Sequence, residues 1–248
     1  MKRSLKTLNG YTIKAQDGDK GKVKDFLFDE ELWIVRYVEA DFGGLFKNKR
    51  VLIPRFFLEK PEWDKEHFPV KLTQENIEAC PDLDERMPVS REYEKQLSNF
   101  YKIDYYWPYG YTAPPTTTAI YPPRPLTPPT KIVSEQDLDT SLRSFKEVKG
   151  YHIRAIDGKL GHIDDIIVDD QDWQVVYVIV DTSNWLPWSK KVMLGINWLE
   201  EISYVDREVS LRLHTETIKK APEYDANRPV ELDYEKAIYD FFGSSLVK

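Results

Sequence analysis

Four histidines and one cysteine are the side chains of this 248-residue chain best suited to bond-making chemistry: His67, His152, His162, His214 and Cys80. A Ser, Cys or Thr nucleophile needs a base within bonding distance, and the base needs an orienting partner. The spacing signals no such set. Two acidic clusters, Asp17/Asp19/Asp25 and Asp157/Asp164/Asp165, invite a calcium reading. A calcium loop needs oxygen ligands at fixed alternate positions and a closing Glu, and neither cluster has that order. The glycines form neither G-x-x-x-x-G-K-[ST] nor G-x-G-x-x-G, so no phosphate cradle is expected. The expectation is a protein without catalytic residues, metal ligands or cofactor, and not an enzyme.

The same residues look different once the chain is aligned with itself. Gly10 to Asp41 (GYTIKAQDGDKGKVKDFLFDEELWIVRYVEAD) recurs without a gap as Gly150 to Asp181 (GYHIRAIDGKLGHIDDIIVDDQDWQVVYVIVD). The offset is about 140 residues, so one folding unit is present twice. Identical pairs include Gly10/Gly150, Tyr11/Tyr151, Asp17/Asp157, Gly21/Gly161, Asp25/Asp165, Asp29/Asp169, Trp33/Trp173 and Tyr37/Tyr177. No histidine is repeated: Glu208, Thr12, Lys22 and Thr73 stand at the counterparts of His67, His152, His162 and His214, and Ala221 at that of Cys80. Asp19 becomes Lys159. What the duplication keeps is glycine, aspartate and aromatic residues, which build turns and cores.

The elements that would position these residues are short. Tyr11–Ala15, Lys22–Asp29, Trp33–Asp41, 51–53, Phe56–Leu58 and Phe68–Leu72 read as strands, rich in β-branched and aromatic residues and broken by Gly, Asp and Pro. In the second copy the strands are Tyr151–Ala155, Gly161–Asp169, Trp173–Asp181, Lys191–Leu194, Trp198–Tyr204 and Glu208–Leu213. Strands at about ten-residue spacing indicate a small antiparallel barrel or sandwich. Thr73–Ala79 reads as a short helix ended by Pro81. Arg91–Tyr101 places Tyr93, Leu97, Phe100 and Tyr101 on one helical stripe, with Ser90 before it as a cap. Tyr93, Leu97 and Phe100 recur as Tyr234, Ile238 and Phe241, so the closing helix is duplicated as well.

Between the copies, Pro108 to Thr130 holds half of the sixteen prolines. Such a stretch lacks amide donors and favours extended backbone, which suits a semi-rigid linker. The organisation expected is 1–107 for the first unit, 108–141 for the linker and 142–248 for the second unit. Net charge is −7, which argues against a nucleic-acid partner. The basic start, MKRSLKTLNG, lacks the apolar stretch of a signal peptide, and the run Val175 to Val180 is too short to span a bilayer. A single cysteine rules out an internal disulfide framework. The expected location is cytoplasmic, with no direct insertion into a membrane.

The pattern G-Y-x-I-x-A-x-D-G-x-x-G-x-[VI]-x-D-[FI]-x-[FV]-D, followed by W-x-V-x-Y-V and a V-[LM]-[IL] strand, resembles the PRC-barrel family. That family is named for the cytoplasmic domain of the photosynthetic reaction-centre H subunit and also occurs in a ribosome-maturation factor. The resemblance covers nearly everything outside the linker. It implies a mainly β protein of two tandem small antiparallel β-barrels, each followed by short α-helices, acting as a protein-interaction adaptor. Family-wide catalytic residues do not exist to be carried over. Neither the H subunit's membrane helix nor the maturation factor's partner domain is expected from the pattern of this sequence. By resemblance to the H subunit, one alternative is a role in assembling a photosynthetic or other electron-transport complex. The chain would then sit peripherally at the inner membrane through its partner. Another alternative is a barrel that binds a small ligand or ion.

Two surfaces are candidates for the partner protein or a second copy of the chain. The loop Thr182 to Lys191 carries Trp185, Pro187 and Trp188, aromatic and apolar residues of the type enriched at binding surfaces. Tyr109, Tyr111 and Tyr121 punctuate the linker. A third inference concerns strand Val175 to Val180, apolar on both faces, where the first copy has Arg36 and Glu39 in place of Val176 and Ile179. A strand with one wet face should alternate. Val176 and Ile179 are therefore further candidates for partner contact, expected to be covered by the other barrel, the linker or a second chain where Arg36 and Glu39 are not. The alternative is a tighter barrel interior packed with its own helix.

Overall fold

A computed structural model describes residues 1–43, 49–83, 89–104, 106, 141–182 and 190–245. The chain is mainly β, with two sheets and few helices. Its first half runs β1 (Lys2–Ser4), α1 (Leu5–Leu8), β2 (Thr12–Ala15), β3 (Gly18–Asp29), β4 (Ile34–Asp41), β5 (Arg50–Pro54), β6 (His67–Pro69), α2 (Gln74–Ala79) and α3 (Arg91–Tyr101). The second half runs β7 (Leu142–Ser144), α4 (Phe145–Val148), β8 (His152–Ala155), β9 (Gly158–Asp169), β10 (Val175–Asp181), β11 (Lys191–Gly195), β12 (Leu199–Ser203), β13 (Glu208–Leu211), α5 (Thr215–Lys220) and α6 (Leu232–Ser245). The order is the same in both, apart from β12. In the first half, isolated bridges Leu58↔Val70 and Glu62↔His67 take the place of that strand.

Each sheet is built on a long, bent strand. β3 pairs antiparallel with β2 and β4, and β9 with β8 and β10, each ladder carrying register shifts that curl the sheet. The expected antiparallel pattern fails at one ladder per half: β6 runs parallel to β2, and β13 parallel to β8. The chain can return in that direction because a long connection, with its 3₁₀ turns, separates β5 from β6. Among the described strands both sheets are open paths, ending at β5 and β6 and at β11 and β12. The segment expected as strand Phe56–Leu58 is instead a 3₁₀ turn over Arg55–Phe57, which follows Pro54 and leaves Phe56 exposed.

The repeated residues build the turns. Gly10 and Gly150 sit at φ 92° and 94°, where a side chain is strained. At Gly21, with φ 77°, a Cβ would also come within 2.6 Å of the Asp41 carbonyl oxygen. Asp29 Oδ1 accepts from the amides of Glu31 and Leu32, and Trp33 closes the turn in the left-handed region at φ 56°. Asp169 and Trp173 repeat the turn, with Trp173 at φ 62°. The hairpin aspartates cap helices: Asp17 Oδ1 accepts from the Gln74 amide at 2.8 Å, and Asp157 Oδ1 from the Thr215 amide at 2.8 Å. That is the role of two members of the acidic clusters.

The sheets are joined by exchange. Strand β1 pairs with β9 of the other half, Lys2↔Asp169, Arg3↔Val168 and Ser4↔Ile167. Strand β7 pairs with β3, Leu142↔Asp29, Arg143↔Phe28 and Ser144↔Leu27. The registers are equivalent, so the exchange is reciprocal. Residues 2–8 and 142–148 are thus arms that cross from one half to the other. Helix α1 lies against β9 and α4 against β3, burying Leu5, Leu8, Phe145 and Val148. Between the arms the β3–β4 and β9–β10 turns meet. The Val35 amide donates to the Trp173 carbonyl at 2.9 Å and the Val175 amide to the Trp33 carbonyl at 2.7 Å. Buried apolar residues of both halves form one continuous core.

Candidate interaction site

The most highly constructed polar site of the described residues is the seat of each arm. On the first arm, the Ser4 hydroxyl donates to Asp165 Oδ2 at 2.5 Å and the Lys6 amide to Asp165 Oδ1 at 3.0 Å. On the second, the Ser144 hydroxyl donates to Asp25 Oδ2 and the Lys146 amide to Asp25 Oδ1 at 3.1 Å. Ser4 and Ser144 also cap their own helices, accepting from the amides of Thr7 and Glu147. Each aspartate additionally accepts from the amide of the next residue, Phe26 or Ile166. Burial pushes both carboxyls above the ordinary carboxylate value and outweighs the donors that hold the charged form.

An arginine locks each arm from outside. Arg3 Nε donates to Asp170 at 2.8 Å while its guanidinium lies 4.6 Å from the Trp63 ring. Arg143 donates to Glu30 at 2.7 Å with its guanidinium 3.8 Å from the Tyr204 ring, and the Tyr204 hydroxyl donates to the same Glu30. In both cases the acid comes from the receiving half and the aromatic from the arm's own half. Lys2 and Lys6 add bonds of 2.7 Å to Asp169 and Asp164. Burial of these two acids is outweighed: Lys2 holds Asp169, and Lys191 and Lys6 hold Asp164, below the ordinary value.

Trp173 carries the exchange into the core. It stands 5.4 Å from Phe68 and stacks on Phe26 at 6.4 Å, both residues of the first half. Closing helices are pinned by a second repeated bond. The Tyr37 hydroxyl donates to Glu94 of α3 at 3.1 Å, and that of Tyr177 to Glu235 of α6 at 2.7 Å. Glu94 is fully buried and also accepts from Tyr106 at 2.7 Å and Arg91 at 2.9 Å. Burial raises its carboxyl despite these donors.

The residues weighed for bond-making are placed otherwise. Cys80 is buried against Tyr101, and burial pushes its thiol up to about 11, far from thiolate at neutral pH. His67 Nε2 is 3.5 Å from Asp19, and His214 Nδ1 is 3.7 Å from Asp157, which is engaged in capping α5. Among the described residues no group of three or more His, Cys, Asp or Glu is placed to hold a metal ion. None of their helices is long and apolar enough to cross a membrane.

The expected coverage difference on the third strand is overturned. Val176 and Ile179 are 8% and 0% exposed, and Arg36 and Glu39 are 5% and 8% exposed. The charged pair is buried because it is partnered: Arg36 donates to Asp29 at 3.0 Å beneath the Tyr106 ring, and Glu39 accepts from Arg50 at 2.9 Å. Polarity in the sequence therefore reported internal ion pairs instead of an exposed face, and Val176 and Ile179 are interior residues. Trp185, Pro187, Trp188, Tyr109, Tyr111 and Tyr121 lie outside the described residues. The strand pattern of the sequence does not mark residues 2–8 or 142–148 as arms. The shared Arg3-Ser4 and Arg143-Ser144, each followed by an apolar residue and then a lysine, is the signal that could have found them.

No curated protein matches the chain. Residues 142–216, which hold the second arm and sheet, match the PRC-barrel domain family, a match that suggests an interaction module.

Proposed function

We propose that the chain is a non-enzymatic adaptor made of two PRC-type barrels that binds another protein. The observation that carries this reading is the PRC-barrel match over residues 142–216, together with the same element order in the first half. The use of the polar groups supports it. Repeated aspartates cap helices or hold arms, repeated tyrosines pin helices, and the buried charges of Arg3, Arg36, Glu39 and Glu94 are paired within the chain. The docking surface we assign is the loop with Trp185, Pro187 and Trp188, since tryptophan supplies large contact area at little entropic cost.

The test is affinity capture from native lysate with the full chain and a Trp185→Ala/Trp188→Ala variant side by side. A stoichiometric protein retained by the parent chain and lost by the variant supports the reading. Equal recovery by both, or no stoichiometric partner at all, counts against it.

A further inference from the structure

We infer that the two halves are non-covalent partners in their own right: each is a receptor for the other's arm, and the linker tethers them without holding them together. This inference stands apart from the adaptor reading. It rests on four observations that recur on both sides of the exchange and on a fifth at the junction between the halves. The receiving strand offers three residues of ladder, 167–169 for one arm and 27–29 for the other. A buried aspartate accepts from the arm's serine hydroxyl and from the amide two residues on. An acid one residue past that strand, Asp170 or Glu30, takes the arm's arginine. The arm's helix buries two apolar side chains against the receiving strand. Across the junction, the halves exchange main-chain bonds at Val35 and Val175 and place Trp173 beside Phe26 and Phe68.

Removing an arm would uncover an aspartate aimed at absent donors, an unpaired acid and the apolar floor of the slot. Each half alone is therefore an incomplete fold, and the partner that completes it carries Arg-Ser-apolar-Lys at the start of a short helix. In this chain that partner is the other repeat.

The test uses the full chain with a protease recognition sequence inserted beside Thr117, cut after folding. Light scattering on the cut protein at about 1 μM, a concentration at which weak pairs separate, should show one particle of the uncut mass, near 29.2 kDa plus the insert. Two particles of about half that mass would overturn the inference. In the cut protein, Arg3→Ala with Arg143→Ala should raise the dissociation constant by about tenfold or more, since each substitution strips the guanidinium from its acid and leaves Asp170 only the Met1 ammonium and Glu30 only the Tyr204 hydroxyl. A constant unchanged within about twofold would show that the arms are not the fastener. Circular dichroism of the uncut variant verifies that it folds. If it does not, Ser144→Ala gives the same reading at a smaller expected change.

Discussion

At the residue scale, the most consequential side chains are Asp25 and Asp165, whose acceptor oxygens receive the arm that arrives from the other half. Removing one carboxylate leaves a serine hydroxyl and a backbone amide without an acceptor under the arm. Asp25→Ala or Asp165→Ala should each cost about 1–3 kcal/mol, the usual penalty for stranding buried polar groups. Urea unfolding of the two variants measures it. The pH dependence has a definite sign. Both carboxyls are raised above the ordinary 3.8 by burial, so the folded state binds their protons more readily than the unfolded chain. Their stabilising contribution is complete below 3.8 and is lost as pH rises through the raised folded values. The stability of the parent chain relative to Asp25→Asn/Asp165→Asn should therefore grow as pH is lowered from neutrality toward 3.8. Denaturant titrations at several pH values check this, and a difference that shrinks on acidification would refute it. Asp164 and Asp169, held below the ordinary value, work in the opposite sense and are present in both proteins.

At the scale of elements, the closing helices are held by bonds of unequal burial. Glu94 is fully buried, whereas Glu235 is only half-buried. Tyr37→Phe should accordingly destabilise by about 1–2 kcal/mol and Tyr177→Phe by less, because water can replace the lost donor at Glu235. Thermal unfolding of the two single variants makes the comparison. Much at this scale was legible in the sequence. β-branched and aromatic runs between turn residues marked the long strands, which are buried on both faces over much of their length, and the stripe of Leu97 and Tyr101 marked α3. The misreadings have a common cause. Arg36 and Glu39 in β4 are charged residues whose partners, Asp29 and Arg50, stand on the two neighbouring strands, so their burial is invisible to the pattern of one strand. The parallel ladders β2/β6 and β8/β13 escape for a related reason, since strand direction depends on the path of a connection.

At the scale of the whole molecule, duplication was plain in the spacing, but its consequence was not. A repeat of about 140 residues is compatible with two independent beads or with one interlocked body. Choosing between them needs the register of Arg3 on Val168 and Arg143 on Phe28, set by contacts across 165 and 115 residues of sequence. The interlocked body makes its own prediction. Trp173 belongs to a turn of the second half but packs on Phe26 and Phe68 of the first. Trp173→Ala should cost about 3–5 kcal/mol, as for other large aromatic truncations in cores. It should shift one cooperative transition, read by probes in both halves. A transition confined to the second half would contradict the shared core.

The most direct measurement is of the exchange itself, by cross-strand nuclear Overhauser contacts in the isotopically labelled full chain. The exchanged register places Arg3 beside Val168 and Arg143 beside Phe28, and those contacts should appear. The internal symmetry supplies the alternative: arms folded back on their own halves would place Arg3 beside Phe28 and Arg143 beside Val168. Observing that second pair, and not the first, would contradict the account.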